Sequence, residues 1–222
     1  MKKDSEIQED VMKELRWEPL LNATEIGVAV KSGIVTLSGT VDTYSKKLAA
    51  EEAAKRVMGV KAVAEDIEVR LSDRGKKTDT DMALAAVNAL KWHTSVPDEK
   101  IKIKIENGWA TFDGDVEWEF QRNAAKTAVE NLSGIVGITN NIKIVSTVKT
   151  TDVKNKIVSA FHRSATVDSE KINVMVDGSK VVLSGKVRSF AEKRDAANAA
   201  WDAPGVDKVE NKLEIDTEVY AY

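Results

Sequence analysis

Apolar and polar positions follow one pattern along the chain, and that pattern occurs three times. A stripe at helical spacing, Ile7, Val11 and Leu15, predicts a first helix; its counterparts are Met82, Ala86, Leu90 and Val153, Ile157, Phe161. A hydroxyl followed by an acid stands before each stripe, as Ser5-Glu6, Thr80-Asp81 and Thr151-Asp152. These pairs are expected to cap the helices, the hydroxyl accepting from free N–H groups and the acid suiting the positive end of the dipole. Strict alternation then predicts a half-buried strand at Ile26-Val28-Val30, Ile101-Ile103-Ile105 and Ile172-Val174-Val176. Ser32-Gly33, Asn107-Gly108 and Gly178-Ser179 supply two-residue hairpin turns. Return strands follow, burying Val35 and Leu37, Ala110 and Phe112, Val181 and Leu183. Ala50, Ala53, Ala54 and Val57 mark a second helix whose small residues let it lie close on a sheet. A last strand places Val63, Ile67 and Val69 inward, matched by Ile138, Ile142, Ile144 and Val209, Leu213, Ile215.

Shifting the chain by 75 residues, and then by 71, superimposes the three blocks without a gap. Ile26/Ile101/Ile172, Val41/Val116/Val187, Ala50/Ala125/Ala196 and Ala53/Ala128/Ala199 are identical in all three copies. So are Gly39/Gly114/Gly185 and Gly59/Gly134/Gly205, read as structural glycines, the second set as αL residues ending the second helix. The expected architecture is α+β: three tandem α-β-β-α-β modules, each with two helices on one face of a three-stranded sheet. Their expected extents are residues 1–71, 78–146 and 149–217, joined by short polar linkers from Ser72 to Lys77 and from Ser146 to Lys149. At roughly 65 residues, each copy is near the lower limit for independent folding.

The alternating strand, the turn, and then Val35-Thr36-Leu37-Ser38-Gly39-Thr40-Val41, with Gly59-Val60 after the second helix, resemble the BON domain, a bacterial family. Val181-Val182-Leu183-Ser184-Gly185-Lys186-Val187 and Gly205-Val206 fit nearly as well. The middle copy departs most, with Trp109-Ala110-Thr111-Phe112-Asp113-Gly114-Asp115. The resemblance covers nearly the whole chain. It implies the α-β-β-α-β fold, tandem duplication, no enzymatic activity, and binding to phospholipid or envelope surfaces, often under osmotic or envelope stress. Some cytoplasmic members resemble potassium binders, which keeps an ion sensor among the alternatives.

Composition narrows the partners. The 33 basic and 36 acidic residues leave a net charge of −3, which argues against nucleic acid, since phosphate binding needs a basic face. The chain has no cysteine, so thiolate chemistry and disulfides are excluded. No stretch has the length of a transmembrane helix. Asp4, Glu6, Glu9 and Asp10 occupy the place of a signal peptide's apolar region. The sequence as it stands is therefore expected to be cytoplasmic, or periplasmic had a signal been removed.

No catalytic set and no cofactor motif is legible. His93 and His162 lack partner ligands and are read as surface residues. The acids from Asp113 to Glu119 alternate along a strand end, so a solvated edge is preferred to a calcium site. Two columns bear on binding. Trp17 and Trp92, with Arg163 in copy three, end the first helix; they are expected to cap the small cores, with an interfacial anchor as the alternative. Lys47, Arg122 and Lys193 recur near the start of helix two, where a cation is unfavourable. That column is read as solubilising surface, or else as a phosphate contact. The expected function is that of a non-enzymatic binding protein for phospholipid head groups or envelope surfaces. A scaffold assembling through sheet edges is the rival reading.

Overall fold

The computed structural model describes residues 2–70, 77–145 and 152–216. Both linkers, apart from Lys77, and the expected cap residue Thr151 lie outside the described residues. The chain divides into two compact units, one holding module one and most of module two, the other holding module three together with Glu117–Glu119 and the end of module two from Ile144.

Module one runs α1 (Asp4–Trp17), β1 (Ile26–Lys31), β2 (Ile34–Val41), α2 (Tyr44–Arg56), β3 (Ala62–Val69). Module two runs α3 (Asp79–Trp92), β4 (Ile101–Glu106), β5 (Trp109–Val116), α4 (Glu119–Glu130), β6 (Gly137–Asn140), β7 (Lys143–Ile144). Module three runs α5 (Val153–Arg163), β8 (Ile172–Asp177), β9 (Lys180–Val187), α6 (Phe190–Trp201), β10 (Lys208–Ile215). The expected α+β modules are therefore present, helices packed on three small sheets.

In each sheet the return strand is central. β2 pairs antiparallel with β1, putting Ile26 opposite Gly39 and Val28 opposite Leu37, and parallel with β3, putting Val35 opposite Val63. The parallel pair needs a crossover, and α2 is that crossover. The buried faces are those the periodicity predicted. Ile7, Val11 and Leu15 of α1, with Val35 and Leu37 of β2 and Ala50, Ala53 and Ala54 of α2, make up the buried set of module one, all nearly inaccessible. In module three, Val153, Ile157, Phe161, Val181, Leu183, Ala196 and Leu213 form the same cluster. Each fully buried leucine or phenylalanine contributes about 1.5–3 kcal/mol. Val28 and Val30 are only partly buried, because β1 is an edge strand.

The Gly39 column is required by close approach. Its φ is +134° at Gly39, +145° at Gly114 and +122° at Gly185, and a Cβ there would overlap the carbonyl oxygen of Glu25, Lys100 or Lys171.

The second glycine column keeps its expected positive φ, at Gly59, Gly134 and Gly205, but its role is corrected: none of the three ends a helix. The helices α2, α4 and α6 finish at Arg56, Glu130 and Trp201, and each glycine stands in the turn that follows. Those turns are closed by Val60 N on Val57 O, Ile135 N on Leu132 O and Val206 N on Ala203 O. Val57 caps α2, and Val60 takes the buried place. Gly134 is itself buried, and a Cβ there would run into the Met82 thioether of α3. The turn therefore passes close under the first helix, which is why the column holds glycine away from any helix end.

Other local readings change at the helix starts. Ser5 and Thr80 do not cap; α1 begins at Asp4, and the cap of α3 is Thr78, whose hydroxyl accepts from Asp81 N at 3.1 Å. The acids stand where expected: Glu6 accepts from Lys3 N at 2.7 Å and Asp81 from Thr78 N at 3.1 Å. The last strand of module two is split into β6 and β7, although the bonds of Asn140, which accepts from Ile142 N and donates to Arg122 O, recur at Asn211 within the unbroken β10.

Modules one and two meet where the Tyr44 phenol bonds the backbone of Ile138; burial, then the carboxylates of Glu65, Glu130 and Glu51, push its pKa up.

Candidate functional site

The tryptophan column is where the structure departs furthest from core packing. Trp17 is 82% exposed and Trp92 is 84% exposed, so neither caps a core. The helices explain this: Leu15 and Leu90 supply the last buried position of each stripe, and a residue two further on points away from it. Beside Trp17 lie Pro19 and half-exposed Leu20; on the outer side of α3, Leu84 and Val87 are exposed as well. Single exposed leucines are ordinary, but two indoles standing almost free at matched positions are not. Trp17 also walls a groove of about 590 Å³ with Glu14, Glu18, Pro19 and Arg56. Arg56 spans it, donating to Glu14 at 2.8 Å and to Glu18 at 3.1 Å.

The basic column is held by the fold. Lys47 Nζ donates to Ile67 O at 2.9 Å and lies 3.7 Å from Glu65, and Lys193 Nζ donates to Leu213 O at 2.6 Å. A cation near a helix N-terminus is thereby reconciled: it reaches across to a carbonyl of the last strand. Asn140 and Asn211 bond the backbone carbonyls of Arg122 and Lys193 in the same region, where module one has Glu65. Burial raises the Glu65 pKa although Lys47 opposes the shift.

Two arrangements were not foreseen from sequence. Asp4 accepts from Ser32 N and Gly33 N at 2.7 and 2.9 Å, and Asp79 accepts from Asn107 N and Gly108 N at 2.8 and 3.0 Å. One carboxylate thus ties each helix start to the hairpin, 28 residues away at its nearer amide. The matching acids, at equal spacing from the turns, were the available signal. The second is Glu192, 3% exposed, which accepts from Asp168 N at 2.8 Å, Arg188 N at 2.7 Å and the Arg188 guanidinium at 3.1 Å.

His162 is exposed, its Nδ1 3.0 Å from Ser169 Oγ. His93 departs from the surface reading: its Nδ1 is enclosed, without a hydrogen-bond partner. Asp113 and Asp115 lie exposed on β5, and no group of three potential metal ligands occurs among the described residues. No described helix is long and apolar enough to cross a membrane.

The BON domain profile matches three times, at residues 3–70, 78–146 and 149–217. The chain belongs to the BON domain family. It is 27% identical over 144 residues to Osmotically-inducible protein Y of Escherichia coli, covering 63% of this chain and 72% of that protein. Among solved structures, CdsD of the Chlamydia trachomatis type III secretion system aligns over 95% of this chain and 92% of that one, at 15% identity and a TM-score of 0.26. The periplasmic domain of PrgH aligns over 86% and 95% of the two chains, at 8% identity and a TM-score of 0.22. Within this BON chain the structural glycines serve all three copies alike, while tryptophan at the end of the first helix belongs to the first two.

Proposed function

We propose that this BON protein is a non-enzymatic binder of phospholipid surfaces, and that Trp17 and Trp92 are its anchors. The near-complete exposure of two tryptophans at one column of successive modules carries the reading. An indole is stabilised at a lipid–water boundary, with its ring among acyl chains and its N–H hydrated. Leu20 beside the first, and Leu84 and Val87 along the second helix, add apolar area. The chain's net charge of −3 favours insertion over attraction to anionic lipid. A head-group role for Lys47, Arg122 and Lys193 requires phosphate to compete with the carbonyls that Lys47 and Lys193 already hold. The name of the E. coli relative, osmotically inducible, supports placing this role in osmotic stress.

Co-sedimentation of the full chain with vesicles of graded anionic content tests the proposal. Binding that survives added salt and is lost in W17A/W92A is the expected result. Absence of binding to every composition, or binding indifferent to both tryptophans, would overturn it.

One observation favours a scaffold instead. The open face of the module one sheet presents Gly27, Ala29, Ile34, Thr36 and Ser38, exposed and uncharged. Assembly that grows with concentration in sedimentation velocity, and that stops in I34K/T36K, would select that reading.

A further inference from the structure

Module three carries a second, chemically different surface. A groove of about 500 Å³ runs between α5 and the end of α6, floored by Ala160, Ala199 and Ala203. Lys156, Ser159 and Arg163 stand on one face of α5, spaced i, i+3 and i+7, and Asp202 faces them from the C-cap of α6. Asn155 and Asp152 line the end near the start of α5.

These charges are held apart. Among the described residues, Lys156, Arg163 and Asp202 have no ion-pair or side-chain hydrogen-bond partner, although opposite charges line the same groove. Asp202 is also the unfavourable sign for a helix C-terminus. The same columns in the other copies show the alternatives. In module one the place of Asp202 is taken by Arg56, which spans the groove and pairs with Glu14 and Glu18. In module two the places of Lys156, Arg163 and Asp202 hold Ala85, Trp92 and Asn131, with no charge to offer. Among the described residues, the third copy alone combines free cations on one wall with a free carboxylate on the other.

We infer that the α5–α6 groove of module three binds a small zwitterion, its phosphate or carboxylate held by Lys156 and Arg163 and its ammonium by Asp202. A simple anion would meet the Asp202 carboxylate unpaired, and a simple cation would meet the two bases. A molecule carrying both charges a few bonds apart satisfies each wall, and Ser159 and Asn155 can serve its remaining oxygens. The site is independent of the tryptophan anchors, which lie on other modules.

The test is a titration of the isotopically labelled full chain with phosphoethanolamine, following backbone amide resonances. Inorganic phosphate and ethanolamine serve as the two half-ligands. Saturable shifts confined to α5 and α6 are expected, with K156A/R163A weakening the affinity by at least about tenfold, as lost charge-assisted bonds do. D202N should remove the preference over phosphate while leaving phosphate binding itself in place. All three side chains are exposed, so the variants keep the fold. No shifts, shifts unchanged in K156A/R163A, or phosphate binding as well as the zwitterion would overturn the inference. Vesicles bearing ethanolamine head groups identify the source: sedimentation weakened by K156A/R163A in the chain that keeps both tryptophans supports the site with a lipid head group as its ligand. Unchanged sedimentation alongside intact phosphoethanolamine shifts supports the site with a soluble ligand.

Discussion

Modules one and two share devices that module three has exchanged. In the first two, an aspartate at the helix start holds the hairpin amides, both turn residues have positive φ, and an exposed tryptophan ends the first helix. In the third, the position matching Asp4 and Asp79 is Thr150, the turn is Gly178-Ser179 with positive φ at the glycine, and the tryptophan is Arg163. Module three gains the Glu192 cluster, where the other two have Lys46 and Gln121. Its exposed large apolar residue among the described ones is Met175, against five such residues in module one and six in module two. The core positions are common to all three. One packing solution thus supports two surface chemistries, because exposed columns change without disturbing buried ones.

The largest effect expected from this contrast lies at Glu192. Replacing it by alanine leaves two backbone amides and Arg188 without their acceptor, costing module three about 3 kcal/mol. K46A, the same column in module one, should cost under about 0.5 kcal/mol, since Lys46 makes only a partly exposed pair with Asp42. Native-state hydrogen exchange on the full chain reads both, and equal losses would break the distinction.

Next come the hairpin clamps. D4A and D79A should each cost their own module about 1–2 kcal/mol, two partly exposed charge-assisted bonds being lost. Amide exchange at Ser32, Gly33, Asn107 and Gly108 should accelerate, with module three unaffected. If the turns stay protected, the clamp is not what holds them.

Smaller still is the stability change for W17A or W92A, under about 0.5 kcal/mol because the rings bury little. The sharper use of the column is gain of function: R163W, placing an indole on module three, should strengthen vesicle co-sedimentation. Strong destabilisation by W17A would instead mean that the indole does cover the core.

The smallest effect concerns pH. Burial holds the Glu65 carboxyl above its ordinary range, so the native state binds that proton more tightly than the unfolded chain. Its contribution to module one is present at low pH and is lost as pH rises through the folded-state value, a window opening upward from about pH 4.3. E65N, the residue found at Asn140 and Asn211, should remove this dependence and leave modules two and three as they were. Denaturation of module one followed by exchange on either side of that window provides the measurement.

The sequence by itself determined the repeat, the order of elements and the core, down to Ile7, Val11, Leu15, Val35 and Leu37. Periodicity reports burial directly, and three aligned copies separate buried columns from free ones. It also singled out the Trp17 and Lys47 columns and the glycines at Gly59, Gly134 and Gly205. What it could not assign was their roles: a tryptophan suits a lid or an anchor equally, a lysine suits solvent or a carbonyl, and a glycine suits a helix end or a later turn. Tertiary structure decided these by direction and distance. Trp17 falls two residues past the last buried position of α1, Gly134 lies under Met82, Lys47 reaches a carbonyl 20 residues away, and Asp4 reaches a turn 28 residues away. Contacts of that kind depend on where the fold brings separate segments together, and no local pattern of residues records them.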